Sequence, residues 1–291
     1  MRGWRLVALL CLAAGCSSLP EPAPPELPVR FLLTFDDGPA TWSLFDDRPS
    51  TVRVLETLAA NPVQPAIKAV FFVQTRAWNA GGSEAGRALL RREHEEGHLL
   101  AVHTGTRGSH ESHLHLASDA LAQSLADAKS DLVAITGQAP RLVRPPFWAY
   151  DDATLAAYEH AGLDMLLTDL SARDGVVWGF NVSLRKRSNL GGQLARVKQQ
   201  AALGRLPALD GTIPVVATFH DVNSHTARSL AEYLRILVEE AQAQGLRLAP
   251  KPFYDSRDDL ERAARLRAFQ TTRALQDASY NSALSLPTAS R

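Results

Sequence analysis

The amino-acid sequence predicts an α/β fold in which a parallel β-sheet closes into a single barrel. Short, continuously hydrophobic runs are typical of parallel strands covered on both faces, and amphipathic helical stretches separate them. Ionisable residues follow the predicted strands at their carboxyl ends, and a barrel gathers such residues on one face. A doubly wound open sheet would gather fewer of them, near its switch point. The predicted strands are Val29–Thr34, Lys68–Gln74, His98–His103, Arg141–Arg144, Leu163–Asp169 and Ile213–His220.

The predicted helices have recognisable ends. Ser118 is the predicted N-cap of a helix that Gly137 ends, and Gly245 ends a second helix that begins at about residue 226. We expect the barrel to occupy residues 29–254. Residues 255–291 then form a helix to about residue 275, followed by a frayed tail. The apolar face of the first helix consists of Leu121, Leu125, Ala128 and Leu132.

The amino-acid composition indicates one large core and argues against a nucleic-acid partner. The chain has 291 residues, 45% of them hydrophobic, which is enough for one large core. Its 31 lysines and arginines balance 31 aspartates and glutamates. A nucleic-acid binder usually has a basic surplus, so no nucleic-acid partner is expected.

The N-terminus has the pattern of an export signal. Arg2 and Arg5 precede an apolar run, Leu6–Ala14, that is too short to span a bilayer as a helix. Small residues then lead to Cys16. Residues 1–15 therefore resemble a bacterial lipoprotein signal, with Cys16 as the lipidated first residue of the mature chain. An ordinary cleaved signal peptide is the alternative interpretation.

A lipoprotein signal implies an exported protein that touches the membrane only through its lipid anchor. Ser17, rather than an aspartate, follows the cysteine, which indicates the periplasmic side of the outer membrane. A secreted or periplasmic protein is the expectation under the alternative. Residues 16–28 are rich in proline, which is typical of an extended tether.

Cysteine usage limits the chemistry that is available. The only two cysteines, Cys11 and Cys16, lie at the N-terminus. The barrel therefore has no disulfide and no thiolate ligand, and a metal in it would need histidine and carboxylate ligands.

Two strings carry most of the chemical signal. The string TFDDGP, residues 34–39, follows the first predicted strand, and its adjacent aspartates project in different directions. One can bind a metal while the other faces a substrate; an ordinary Asp-Gly turn is the alternative. Four of the nine histidines lie between His103 and His115. Two neutral imidazoles and a carboxylate, with an open position for water, form the usual catalytic zinc site.

Together these strings resemble the polysaccharide deacetylases of the NodB-homology type, also called carbohydrate esterase family 4, over roughly residues 29–250. TFDDGP corresponds to the first motif of that family and is complete. The resemblance implies a distorted (β/α) barrel of about seven parallel strands. It also implies a metal-dependent hydrolase that removes N-acetyl groups from a glycan.

The second family motif, His-Ser/Thr-x-x-His, is altered. His103 fits its start, but Arg107 occupies the position of its second histidine. An insertion of three residues restores the Ser-His pair at residues 109–110. His110 is therefore the assigned ligand, and His113 is the substitute candidate.

The remaining motifs are present in part. The third is Arg144–Phe147, followed by Trp148 in place of glycine. The fourth keeps only Asp174 of its two aspartates, and Trp178 lies nearby as a replacement for its aromatic wall. The fifth is the apolar run that ends at His220.

The resemblance implies a metal site in which Asp37, His103 and His110 hold a divalent cation, with Zn²⁺ the expected one.

It also implies the catalytic roles. Asp36 is the general base, His220 is the general acid, and the backbone N–H of Phe147 helps to hold the developing negative charge. Arg144 restrains Asp36, and Asp174 orients His220. Purely structural roles are the alternatives, with Arg144 as a cap at a strand end and Asp174 as a turn residue.

Three functions follow from this pattern. The first is N-deacetylation of an envelope or extracellular glycan. The second is hydrolysis of a small amide or an O-acetyl ester, which the eroded fourth motif keeps open. The third is glycan binding without catalysis, which Arg107 suggests and which the retained Asp36, Asp37, His103 and His220 oppose.

Overall fold

The computed structural model describes residues 26–108, 110–175 and 185–268. Outside these residues lie the predicted signal peptide with Cys16, most of the tether, Trp178, and the chain beyond residue 268. Within the described part, no helix is both long and apolar enough to cross a bilayer.

The described residues form one sheet and a set of helices. The strands are β1 (Val29–Asp36), β2 (Ala69–Gln74), β3 (Leu99–Thr104), β4 (Leu142–Val143), β5 (Asp164–Met165), β6 (Leu170–Ser171), β7 (Ile213–His220) and β8 (Leu248–Phe253). The helices are α1 (Ser50–Ala59), α2 (Glu84–Glu95), α3 (Ser118–Thr136), α4 (Asp152–His160), α5 (Lys186–Ala202), α6 (Ser224–Ala243) and α7 (257–268). Single 3₁₀ turns span His113–His115 and Pro146–Trp148.

The sheet curls into the predicted barrel. Every strand pairing is parallel, and seven strands follow the order β5-β4-β3-β2-β1-β7-β6, with β8 added beside β1. β5 and β6 lie at opposite ends of this order, yet only residues 166–169 separate them in the chain. Such a short connection brings the two edges together. The fold is therefore a distorted (β/α) barrel and not an open sheet.

The prediction of one strand at Leu163–Asp169 was wrong. This segment contains β5 and leads to β6, because the chain leaves one edge of the barrel and joins the other. The N–H of Leu166 donates to the Val143 carbonyl, and the N–H of Asp169 donates to the Val216 carbonyl, both at 3.0 Å. β8 was not predicted, because the prolines in its sequence LAPKPF interrupt a strand pattern.

Asp169, at the carboxyl end of the predicted strand Leu163–Asp169, is a second correction, because it does not join the other ionisable residues that follow the strands. Its Oδ2 accepts the N–H of Val216 at 2.8 Å, within β7, and its Oδ1 is ion-paired with Arg267 of α7 at 2.5 Å. Asp169 therefore links α7 to β7 of the barrel through these two contacts.

The helix ends are mostly as predicted. Gly137 is the C-cap of α3, with a left-handed φ of 72°. Ser118 is the first helical residue and Ala117 the N-cap, so the predicted cap was displaced by one residue. α6 begins at Ser224 rather than near residue 226, because the Asn223 side chain caps it.

The core explains the continuous hydrophobicity of the strands. Alternate residues of β1 enter two buried apolar clusters, with Phe31, Leu33 and Phe35 in one and Leu32 in the other. The second cluster includes Leu260 of α7. Both faces of β1 are therefore covered, as expected for a strand of a parallel barrel.

Candidate active site

Two parallel strands place the first pair of site residues. Asp36 ends β1 and His220 ends β7, and the two are paired in the sheet register. Both side chains are buried, with exposures of 2% and 9%. The ladder that joins the strands thus fixes an acid and a histidine at the carboxyl end of the barrel.

The turn after β1 directs Asp37 away from Asp36. Asp37 has a left-handed φ of 74°, and a cis peptide bond joins Gly38 to Pro39. The Gln74 side chain holds the turn by donating to the Asp37 carbonyl at 2.7 Å. A Cβ at Gly38 would lie 2.3 Å from Oδ2 of Asp221, so this turn requires glycine.

The structure brings together the three predicted metal ligands. Nε2 of His103 lies 3.0 Å from Oδ1 of Asp37, and Nε2 of His110 lies 3.1 Å from the same oxygen. The two imidazole nitrogens are 3.2 Å apart. Among the described residues, this trio alone has the arrangement of a metal site. His113, the substitute candidate, is outside it.

The donor atoms fit a divalent cation. Nδ1 of His103 lies 2.8 Å from the Arg144 carbonyl, which can only accept, so Nδ1 carries the proton. With the proton on Nδ1, Nε2 is the nitrogen of His103 that is placed to bind a cation beside the Asp37 carboxylate. Tetrahedral zinc bonds of 2.0–2.1 Å separate ligand atoms by about 3.3 Å. The observed separations of 3.0–3.2 Å are close to this value.

The protonation states of two candidate ligands suit metal binding. Burial lowers the pKa of His110 to about 4, so its imidazole is neutral at pH 7. Burial would raise the pKa of Asp37, but contact with the His103 imidazole and the charge of His220 outweigh it. The pKa of Asp37 is therefore well below its ordinary value, and its carboxylate stays ionised.

Arg144 lies against Asp36 and restrains its carboxylate. Its guanidinium is fully buried and donates to Oδ1 of Asp36 at 2.7 Å and to Oγ1 of Thr34 at 2.6 Å. It also donates to the Leu166 carbonyl at 2.9 Å, in the segment that closes the barrel. Its flat faces pack on the rings of Phe72 and Trp148. Arg144 therefore belongs to both the barrel closure and the site.

Asp174 lies against His220 rather than in an ordinary turn. Its Oδ1 is 2.8 Å from Nδ1 of His220, and its Oδ2 accepts the His220 N–H at 3.0 Å. The Thr226 hydroxyl donates to Oδ2 at 2.7 Å. Burial alone would lower the pKa of His220, but the charge and hydrogen bond of Asp174 raise it to about 10.

The third motif forms one wall of the site. Phe147 and Trp148 have left-handed φ values of 60° and 59°, a conformation that is uncommon for non-glycine residues and is often found at functional sites. The Phe147 ring is stacked on the His110 ring with centroids 4.1 Å apart. Trp148 covers the Arg144 guanidinium.

These groups line an open groove of about 390 Å³, which lies within the range of small-molecule sites. Among the described residues, the side of the groove formed by the fourth motif is lined by Ser171, Arg173 and Gly175. A Cβ at Gly175 would lie 3.3 Å from the His220 ring, so glycine leaves space beside this histidine. The lining residues are Asp36, Asp37, His103, His110, Pro145, Phe147, Trp148, Ser171, Arg173, Gly175 and His220.

Sequence reasoning missed the polar residues that support this groove. Thr34 bonds Arg144, Thr226 bonds Asp174, and Asp221 is buried beneath the Gly38 turn. Of these residues, only Asp221 could have been singled out from the sequence, because it is a carboxylate directly after a buried strand. A threonine within a strand or a helix does not stand out in this way.

A family model described as polysaccharide deacetylase matches residues 28–166. A chitin deacetylase of Pestalotiopsis sp is 26% identical over 148 residues, which are 51% of this chain and 44% of that protein. The match thus spans less than half the length of this curated relative. Both findings support the polysaccharide deacetylase family that the motifs resemble.

Solved structures support the same fold. The chitin deacetylase of Colletotrichum lindemuthianum has a TM-score of 0.54 at 23% identity, covering 78% of this chain and 92% of that one. A family 4 carbohydrate esterase of Streptomyces lividans, in complex with acetate, has a TM-score of 0.52 at 20% identity, covering 74% and 91%. At these identities the likeness concerns the barrel itself, and it confirms the predicted fold class.

Proposed function

We propose that this chain is a metal-dependent polysaccharide deacetylase that hydrolyses N-acetyl groups of an N-acetylated glycan. The observation that carries the proposal is the convergence of Asp37, His103 and His110 within 3.2 Å of one another, beside Asp36 and His220. Zn²⁺ bound by the three side chains would lower the pKa of water and polarise the acetyl carbonyl.

Asp36 is the proposed general base. Arg144 engages its Oδ1 at 2.7 Å, which orients the carboxylate and leaves Oδ2 for a water in the groove. Asp36 Oδ2 would accept a proton from that water as it attacks the acetyl carbon. The charged hydrogen bond also keeps Arg144 paired while it is fully buried.

His220 is the proposed general acid. Asp174 holds Nδ1, so Nε2 faces the groove, 4.0 Å from Oδ2 of Asp37. Because Asp174 raises the pKa of His220 to about 10, the imidazole enters the reaction with a proton on Nε2. It would pass this proton to the departing amine, while the backbone N–H of Phe147 stabilises the developing oxyanion.

An N-acetylated glycan of the cell envelope or the extracellular space is the proposed substrate. The relatives named above act on chitin or carry the name carbohydrate esterase. The signal-like N-terminus is consistent with export and with a lipid on Cys16. Replacing Cys16 with alanine should move the protein from the membrane fraction to the soluble fraction if it is lipidated, and an unchanged distribution would exclude the anchor.

An O-acetyl ester is the second candidate substrate. The space that Gly175 leaves beside His220 favours it, because the groove is more open there. The same base and acid would serve ester hydrolysis, so only the substrate distinguishes the two reactions.

Acetate release tests the proposal. The full-length chain, stripped of metal, is assayed on N-acetylglucosamine oligomers and on O-acetylated xylan, with and without added zinc. We expect zinc-dependent acetate from the oligomers, at least about 100-fold reduced in Asp36→Ala and unchanged in Asp47→Ala, which replaces an exposed aspartate. Acetate from xylan alone would select the ester function. Zinc binding without acetate from either substrate would reject both.

A further inference from the structure

The segment that carries His110 has little backbone support. Gly105 donates its N–H to Oγ of Ser124 at 3.0 Å, and the N–H of Thr106 donates to Oγ1 of Thr104 at 3.2 Å. Over residues 107–111, apart from residue 109, no backbone hydrogen bond joins the segment to the described chain. Side chains must therefore keep His110 beside Asp37.

His113 provides a side-chain contact at the right place. It lies in the 3₁₀ turn three residues after His110, and it is only 1% exposed. Its Nδ1 is 2.7 Å from the Tyr158 hydroxyl, and the two rings meet edge to face with centroids 5.7 Å apart. Tyr158 is also 1% exposed and belongs to the main apolar cluster, so this partner is fixed.

Tyr158 belongs to the same structural unit as the other neighbour of His110. It lies on α4, which begins at a capping box formed by Asp151 and Thr154. α4 directly follows the segment that stacks Phe147 on the His110 ring. The stretch from Phe147 to Tyr158 thus contacts the His110 segment twice, at His110 itself and at His113.

Folding stability does not account for a histidine at position 113. Its Nε2 is buried and has no hydrogen-bond partner among the described residues. A buried polar atom without a partner is unfavourable, whereas an apolar side chain would fill this space without that penalty. The hydrogen bond to Tyr158 is what distinguishes histidine from leucine here.

We propose that His113 is a positioning residue, which holds the 105–117 segment through Tyr158 so that His110 reaches the metal site, without being a ligand itself. This inference rests on the proposed metal site. His113 and Tyr158 act as a pair, since the hydroxyl has no role without the imidazole.

Zinc affinity of the full-length chain, measured by competition with a chromogenic chelator, tests the inference. In the double variant His113→Leu/Tyr158→Phe both partners become apolar, so the midpoint of thermal unfolding without metal should change little. Its zinc dissociation constant should rise about 10- to 100-fold, the range found for residues that orient metal ligands. The single variant Tyr158→Phe breaks the same hydrogen bond by removing one hydroxyl, so it should raise the dissociation constant by a comparable factor, and it is the check against misfolding of the double variant.

His115→Leu is the matched control, because His115 lies exposed on the same 3₁₀ turn and should leave the affinity unchanged. The visible absorption of bound Co²⁺ provides a second readout, and its bands should weaken in the double variant as the ligand geometry loosens. If wild type and double variant show equal zinc affinity and equal Co²⁺ spectra, the inference fails while the proposed function stands. If the wild type binds no zinc, both fail.

Discussion

The site residues fall into two groups that are held in different ways. Asp36 and His220 are paired at the ends of β1 and β7, and His103 lies near the end of β3, between residues that pair with β2. His110 and Asp174 lie on segments between strands and helices, and side-chain contacts fix them instead. In the proposed mechanism the strand-end group supplies the base, the acid and one ligand. The loop group completes the metal site and orients the acid, so the loops decide whether the barrel can be active.

The largest effect should come from the loop residue that sets the state of His220. In Asp174→Asn the amide cannot stabilise a charged imidazole, so His220 loses its stored proton and its orientation. We expect kcat for acetate release to fall by about 10²- to 10⁴-fold, with zinc affinity unchanged. Asp47→Asn, at an exposed position, is the control. Activity within a few-fold of wild type would mean that catalysis does not depend on the contact of Asp174 with His220.

Substitutions of the two histidine ligands should have similar effects on zinc affinity but different effects on the stability of the metal-free protein. His103→Ala and His110→Ala should each weaken zinc binding by more than the 10- to 100-fold typical of supporting residues. His103→Ala should also lower the free energy of unfolding of the metal-free protein by about 1–3 kcal/mol, because the buried Arg144 carbonyl loses its donor. His110→Ala should leave that stability nearly unchanged. Denaturant titrations of the metal-free variants measure this difference. If both variants lost the same free energy of unfolding, the proposed difference between strand and loop ligands would be contradicted.

Asp221, which directly follows β7, should make the free energy of unfolding depend on pH. Burial raises its pKa to about 7, although the Thr51 hydroxyl donates to it. Between about pH 4 and pH 7 the folded protein binds a proton that the unfolded chain has lost, so stability falls as the pH rises.

Between about pH 4 and pH 7, titration of Asp221 should lower the free energy of unfolding by on the order of 3 kcal/mol. Asp221→Asn cannot titrate and should lose less stability between pH 4 and pH 8 than the wild type. Urea titrations of the two metal-free proteins at both pH values measure the difference. Parallel pH dependences would show that the Asp221 carboxyl is not perturbed.

The strand and loop groups also differ in how far the sequence predicts them. The position of Asp36 or His220 can be predicted from the buried apolar run that it ends, because the carboxyl ends of parallel strands lie on one face of the barrel. The insertion before His110 could be aligned only through the family motif, and the partner of His113 could not be predicted at all. The split at residues 163–169 was missed for a related reason. Barrel closure depends on contacts with Val143 and Val216, far away in sequence.

Zinc K-edge X-ray absorption of the full-length chain tests the central claim most directly, namely that a loop histidine completes a metal site begun by strand-end residues. For the wild type we expect two imidazoles and oxygen ligands at about 2.0–2.1 Å, with no sulfur. His110→Ala should retain one imidazole, and His115→Ala should retain both. Two imidazoles in His110→Ala, or zinc bound elsewhere in the wild type, would contradict the account.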